Sequence, residues 1–550
     1  MRTVAGLSGS RVLTALAFFA VAVPAIAVPA ARTPQIPRIR VSTRLVQIGV
    51  TAHNKDGPAP NLTKSDFVVL DRGRQRDISL LSVESRETLS SSATERPLPG
   101  NNFSDLPQYG HSAPSSVTIV LLDNLNTLYG TARSGPFEST PYWMEDLALQ
   151  NAKTHLVEFV GQMRPSDRVA IYGLGHSLHV VCDFTSDRVR LLAILKKYDV
   201  TPKTNREIAE PALMHSPIVQ AEPFDNAAAR EDAAVANQGR AGETMAALES
   251  IAAHVANVPG RKNLVWLTAN LPFSVTVMER ILVPAGIAAY PIDVRGLLPR
   301  QPFQSGGDVM DFNQAARNGT AAPAQSIEPV GNDVMQKLAD ETGGRAFLNT
   351  NDLTGAIRQA VEDSELTYTL GFYIEQDSLD GKFHQLKIEV KRAGVTLRYP
   401  RGYFAFADTP ATQDQNRSNV LAAVRSPIES SRIPVQVRID RVEKPLAHCL
   451  SIFGSIEIDK LQLAENAGIR KGAANVITIE QDETGKVLAQ SASMIRFRLS
   501  GKEYAEYLTK GFPFHQFVQP RAGATTLRIL VEDTTTAEVG SLIIPLSQIQ

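Results

Sequence analysis

The sequence predicts an α/β protein: a doubly wound, mostly parallel sheet in the middle of the chain, flanked by β-sandwich domains. Three observations lead there. Between Val117 and Asp363, continuous apolar runs such as Val117–Asp123, Asn263–Thr268 and Ile287–Asp293 alternate with stretches of helical periodicity. That is the pattern of parallel strands buried on both faces by crossover helices. On either side the apolar residues fall to a period near two, as half-buried strands require. The 550 residues also exceed what one hydrophobic core organises, so about two to four domains are expected.

The charges nearly cancel, with 56 Lys and Arg against 57 Asp and Glu. This removes the electrostatic case for nucleic acid or an anionic membrane surface as partner. Two cysteines exclude a disulfide scaffold and a four-cysteine zinc site; Cys182 and Cys449 lie in apolar runs and read as buried thiols, with one inter-domain bridge as the alternative.

In chain order, residues 1–31 read as a secretory signal peptide. Arg2 and Arg11 come first, Val12–Val23 is apolar, and Ala25-Ile26-Ala27 offers a cleavage signal, with the cut expected after Ala27 or within a few residues. The apolar run is shorter than the roughly 20 residues that span a bilayer. No later segment is apolar enough to span, so the mature chain is expected to be exported, periplasmic or secreted, without a membrane span. Residues 38–85 carry strands at Val41–Val50, Phe67–Leu70 and Ile78–Leu81, separated by Asn-, Asp- and Gly-containing turns. Residues 86–115, rich in Ser, Asn and Pro, read as a linker.

The α/β region is placed at 116–365. Its strands are expected at Val117–Asp123, Arg168–Tyr172, Asn263–Thr268, Ile287–Asp293 and Arg345–Leu348, with Leu178–Val181 as an antiparallel edge. Helices are expected around Leu149–Met163, Asp187–Tyr198, Thr244–Val258, Val277–Leu282, Asp333–Thr342 and Leu353–Asp363. Excursions at Thr201–Arg240 and Leu297–Gly331 interrupt the pattern. Strands return at 366–406, a polar linker follows at 407–433, and 434–550 reads as a C-terminal β-sandwich. Residues 38–85 and 366–406 each offer about three strands, too few to bury a stable face alone. Together they would form one sandwich into which the α/β region is inserted, with Leu45, Ile48 and Phe67 against Leu370, Ile388 and Val390.

The strand ending in Asp123-Asn124-Leu125-Asn126-Thr127, then Ser166–Ile171, Gly242-Glu243-Thr244 and Arg261–Thr268, resembles a von Willebrand factor type A (VWA) domain. Gly343-Gly344-Arg345-Ala346-Phe347, Tyr368–Phe372 and Arg401–Phe404 follow in the order of the exported bacterial VWFA-related subgroup, and the resemblance covers Arg38 to Phe406. It implies a Rossmann-type sheet whose carboxyl-end loops hold a divalent ion, completed by an acidic side chain of a protein partner. By that resemblance Asp123 stands at the first Asp position, Thr127 at the second hydroxyl and Thr244 at the lone Thr. Leu125 and Ala269 occupy the other two ligand positions and cannot ligate; Asn126 or Asn270 would have to substitute. Hard ions need oxygen ligands in near-octahedral array. Asp123, Asn126, Thr127 and Thr244 are therefore expected to form a degenerate metal site, without a cofactor and with Mg²⁺ affinity no better than about millimolar. Asp123 would instead cap loop amides.

The expected function is non-enzymatic binding of a protein partner at this rim. Two rivals belong to other classes. Ser177, in Gly173-Leu174-Gly175-His176-Ser177-Leu178-His179, partly matches a hydrolase nucleophile elbow, but His179 stands where that elbow needs glycine. A structural spacer of the cell envelope is the other. Trp266 and Phe159 read as core aromatics.

Overall fold

The computed structural model describes residues 43–550 apart from 86–97, 106–115, 129–141, 201–226 and 297–331 and shorter gaps at 56, 99, 259, 272–273, 376–377, 407–409, 444–448 and 550. Residues 1–31, expected to be a signal peptide cut near Ala27, lie outside the described residues, as does most of the two excursions. The content is mixed α/β, and most sheets are antiparallel.

The N-terminal flank supplies β1 (Thr43–Asn54), β2 (Phe67–Asp71), β3 (Arg74–Arg76) and β4 (Leu80–Ser85); β5 (Asn102–Ser104) follows. The central region runs β6 (Ser116–Asp123), α1 (Asn124–Leu128), α2 (Tyr142–Gly161), β7 (Val169–Leu174), β8 (Leu178–Thr185), α3 (Arg188–Lys197), α4 (Ala227–His254), β9 (Arg261–Thr268), α5 (Val275–Leu282), β10 (Ile287–Asp293), α6 (Asn332–Thr342) and α7 (Leu353–Glu362). Then come β11 (Leu366–Glu375), β12 (Phe383–Val390), β13 (Thr396–Arg398), β14 (Gly402–Phe404) and α8 (Gln413–Arg425). The last region holds β15 (Val435–Val442), β16 (Cys449–Ile456), β17 (Ala464–Asn466), β18 (Ile469–Gln481), β19 (Val487–Ser500), α9 (Gly501–Lys510), β20 (Phe512–Val518), β21 (Thr526–Asp533) and β22 (Val539–Pro545).

The central sheet has the order β10-β9-β6-β7-β8. The first four strands pair in parallel and β8 turns back antiparallel. Every residue of β6, β7, β9 and β10 is buried, which is why their sequences are continuous apolar runs rather than alternating ones. Leu156 of α2, Leu195 of α3 and Ile357 of α7 cover one face, against Val120, Val265 and Ile292. Ile251 of α4, Met278 of α5 and Leu338 of α6 cover the other, against Ile119, Tyr172 and Trp266. The expected strand Arg345–Leu348 is reduced to a single bridge, Ile292 to Phe347.

Strands from the two ends of the central region interleave. One sheet runs β13-β1-β11-β4 and another β14-β12-β2-β3. Ile48 faces Leu370 and Phe67 faces Val390 across the ladders, and Ile48, Phe67, Tyr368, Leu370 and Ile388 share one core. Leu45 does not join it: it pairs with the exposed Tyr373 on the opposite face, because alternate strand residues point to opposite sides. The C-terminal region is also two sheets, β20-β16-β15-β5 and β17-β18-β21-β22 with β19 on β18, around Ile439, Ile452, Val476 and Ile529.

Two readings of linker need correction. Within 86–115, β5 pairs with β15, and the buried Asp105 accepts the Val435 amide at 2.9 Å. A three-residue strand is too short to show a period of two. Within 407–433, α8 is a helix begun by a capping box in which Thr412 and Gln415 satisfy each other's amides. Its Val420, Ala423 and Val424 pack on Leu530 and Val539, a stripe too narrow to stand out among polar neighbours. Cys182 and Cys449 are both buried, and no disulfide joins them.

The central region is tied to the interleaved flanks at Asp363, which follows α7. Tyr290 Oη donates to its Oδ2 at 2.5 Å, and Arg261 Nη2 lies 4.0 Å from the same atom. From the flanking strands, His53 Nε2 lies 2.9 Å from Oδ1, and the Arg398 guanidinium pairs with that oxygen too. Burial pushes the carboxyl up, but the contact with His53 and the charges of Arg261 and Arg398 outweigh it and hold it down to about 2. Close approach continues nearby at Gly343, whose φ is +76° and where a Cβ would stand 2.5 Å from the Tyr399 backbone.

Asp363→Asn should therefore cost about 3 kcal/mol in urea unfolding at neutral pH, because the buried Arg261 and the half-buried Arg398 lose their counter-charge. An unfolded carboxyl titrates near the ordinary 3.8, so the Asp363 contribution is complete above that value and lost as pH falls through about 2. The stability gap between wild type and Asp363→Asn should close over that window, and a gap constant down to the acid limit would contradict the assignment.

Candidate functional site

The candidate rim lies where β6 and β9 end. β6 delivers Asp123 at its last position, and the chain turns directly into α1, carrying Asn124, Leu125, Asn126 and Thr127. Thr244 comes from α4, on the sheet face that α4 covers. All four proposed ligands, Asp123, Asn126, Thr127 and Thr244, are buried.

The carboxylate of Asp123 is filled by the chain itself. Its Oδ1 accepts the Asn126 backbone amide at 2.9 Å. Its Oδ2 accepts the Asn126 side-chain amide at 2.8 Å and the Trp266 indole N–H at 2.8 Å. The same Asn126 Nδ2 donates to Thr244 Oγ1 at 3.0 Å, and Thr244 Oγ1 donates onward to the Arg240 carbonyl at 2.8 Å. Thr127 Oγ1 accepts the Ala269 amide at 3.1 Å, which fastens the β6 loop to the β9 loop. Burial pushes the Asp123 carboxyl above its usual value, and the hydrogen bonds from Asn126 and Trp266 offset this only in part.

Asn126 thus places an N–H donor between Asp123 and Thr244, two oxygens that a divalent ion would have to share. Leu125 is turned into the core on one face of the sheet, and Ala269 is buried in the core on the other. Asn270 Oδ1 accepts the Leu271 amide in its own loop. As arranged, these residues do not fit a hard cation, which needs oxygens converging without an intervening donor. Among the described residues no group of three or more His, Cys, Asp and Glu is placed to hold a metal.

Trp266 is the member that the sequence reading left as core alone. It is core, fully buried, and also a donor. The register of the two strands brings this about: Trp266 pairs with Leu121, so Asp123, two residues on, lies on the same face.

Ser177 sits exposed in the turn between β7 and β8, where its carbonyl accepts the Gly175 amide at 3.2 Å. His179 Nε2 lies 2.8 Å from Tyr198 Oη, and the Ser177 backbone acts on the same ring. Gly173 is needed there because a Cβ would meet the His179 ring at 2.3 Å.

No protein-family model and no curated protein sequence matches the chain. Among solved structures, an aerotolerance-related membrane protein from Bacteroides fragilis is similar at 15% identity, over 45% of this chain and 98% of that one, with a TM-score of 0.25. The ArnB paralog VWA2 from Sulfolobus acidocaldarius is similar at 8% identity, over 85% and 74%, with a TM-score of 0.22. The pilus adhesin SpaC from Lactobacillus rhamnosus GG is similar at 8% identity, over 90% and 58%, with a TM-score of 0.20. Scores this low give these likenesses no weight for fold or function.

Trp266→Phe keeps the ring and removes one donor from a buried carboxylate. It should lower stability by about 1–3 kcal/mol in denaturant unfolding. The loss should nearly vanish in an Asp123→Leu background, where there is no carboxylate to satisfy. Equal losses in both backgrounds would show that ring packing, not the indole N–H, is what matters.

Proposed function

We propose that the chain is an exported, non-enzymatic interaction protein. In this reading its central region is a VWA-like module with a doubly wound sheet. The module binds a protein partner at the carboxyl-end rim that carries Asp123, Asn126, Thr127 and Thr244, without a divalent ion. The observation that carries the reading is the closed network around Asp123, whose acceptors are consumed by Asn126 and Trp266. Parallel sheets place their ligand-binding loops at this end. A network of this kind fixes those loops and leaves no activated nucleophile or base there, which favours docking over chemistry. Export rests on the order of basic, apolar and small residues through Ala27. In keeping with it, no helix among the described residues is long and apolar enough to cross a membrane. Ser177 lies in an exposed turn and the nearby His179 ring is hydrogen-bonded to Tyr198 Oη, which gives the hydrolase reading little support.

Two measurements test this. A photocrosslinking residue at exposed Glu243, next to Thr244, should capture one discrete protein from the native envelope, and the same residue at exposed Lys486 in the C-terminal region should not. The adduct should persist in EDTA; its loss in EDTA, or equal capture from both positions, would end the proposal. The melting temperature should also change by no more than about 1–2 °C between EDTA and about 1 mM Mg²⁺, since ligand stabilisation grows as RT ln(1 + [L]/Kd) and is at most about 0.4 kcal/mol when Kd is about millimolar or weaker. A rise of several degrees that disappears in Asp123→Ala would mean that an ion displaces the Asn126 amide.

A further inference from the structure

A second polar site lies at the opposite end of the central sheet, away from the Asp123 rim. There the amino ends of β9 and β10 face the outer side of the β13-β1-β11-β4 sheet across a cavity of about 590 Å³. Gln47, Glu84, Thr367 and Thr369 line it from the flanking strands, and Arg261 and Lys262 from β9. The volume falls within the range of roughly 300–1,000 Å³ usual for small-molecule sites.

What sets this cavity apart is unsatisfied polarity. Thr51, Thr367 and Glu84 stand directly opposite one another on three neighbouring strands, so their side chains form one row on the same face. That face is the one turned from the sandwich core, which takes Val50, Tyr368 and Leu370 instead. Glu84 Oε2 and Thr367 Oγ1, which belong to residues lining the cavity, and Thr51 Oγ1 behind the lining are all buried and none has a hydrogen-bond partner. Facing them, Lys262 is 8% exposed on a wholly buried strand. Glu84 is the charge that acts on it. Burial nevertheless dominates both groups, raising the Glu84 carboxyl and lowering the Lys262 ammonium to about 8. Arg261 is already committed, donating to Tyr290 Oη and the Gly343 carbonyl. Buried charges without direct partners are costly. One molecule carrying the complementary pair of charges would relieve both ends at once.

We propose that this cavity is a binding site for a small zwitterion of the amino-acid or dipeptide class, its carboxylate held by Lys262 Nζ and its ammonium by Glu84, with Thr367 Oγ1 as a further hydrogen-bond partner. The site is separate from the rim and does not depend on the reading given for it. Neither charge can be replaced by a neutral group without stranding its partner, so ligands blocked at either terminus are excluded.

Isothermal calorimetry on the full mature chain, with each of the common L-amino acids and glycylglycine at up to about 10 mM, provides the test. At least one probe should bind saturably with Kd below about 1 mM. Its N-acetyl and methyl-ester forms should bind at least about tenfold more weakly, as should the free probe to Glu84→Gln and Lys262→Met, with a smaller loss for Thr367→Val. If Lys262→Met fails to fold, the Glu84→Gln and Thr367→Val arms carry the decision, scored only where the melting curve of the variant is cooperative. Absence of binding by every probe, equal binding of blocked forms, or unchanged binding in Glu84→Gln would overturn the proposal. So would variants that melt higher with no effect of any probe, which would identify a water-filled gap.

Discussion

One buried carboxylate, Asp363, holds the central region to the strands that flank it. It closes α7, accepts from Tyr290 on β10, and draws in His53 from β1 and Arg398 from β13. The strands therefore converge on a single anion lying between layers that hydrophobic contact alone would leave free to slide. Arg261 links this point to Gly343, whose left-handed backbone lets the Tyr399 segment pass close by. Apolar packing gives each body its stability, but it is non-directional. Orientation comes from charge-assisted contacts, which fix angles as well as distances.

The rim obeys the same logic with opposite consequences. At Asp363 positive groups surround a carboxylate; at Asp123 neutral N–H donors do. Three donors satisfy the two Asp123 oxygens, and one asparagine supplies two of them while also reaching Thr244. The loop after β6 is consequently stitched to α4 and β9 by ordinary hydrogen bonds. It needs no bound ion to hold its shape.

Much of the middle of the fold was legible because buried parallel strands leave continuous apolar runs: Val117–Asp123 and Ile287–Asp293 coincide closely with β6 and β10. For the flanks the sequence argued only that neither has enough strands to bury a face by itself; the ladder between β1 and β11 was not specified by it. What escaped was short or quiet. β5 spans three residues, and α8 shows only Val420, Ala423 and Val424 on an otherwise polar helix. Asp363, His53 and Arg398 could not have been grouped from sequence either, because each looks like an ordinary surface charge until the chain brings them together. At the rim, Asp123, Thr127 and Thr244 were recognisable from their order. The part played by Trp266 was not, since an apolar strand gives no sign that one of its rings will also donate a proton.

The interleaving of β1 and β11 has a cost in time. Tyr368 accepts from Leu62, a partner 306 residues earlier in the chain, and β1 finds its place only when β11 is available. A ribosome adding about 5–20 residues per second needs on the order of 15–60 s to cover that interval. Throughout it, Ile48, Val50 and Phe67 have no native neighbours from β11 or β12. The central region, whose strand pairings are complete within itself, can form meanwhile and bring the two flanks side by side. The first strands to leave the ribosome are thus among the last to fold, and until then they form an apolar edge that must be kept from pairing with other chains.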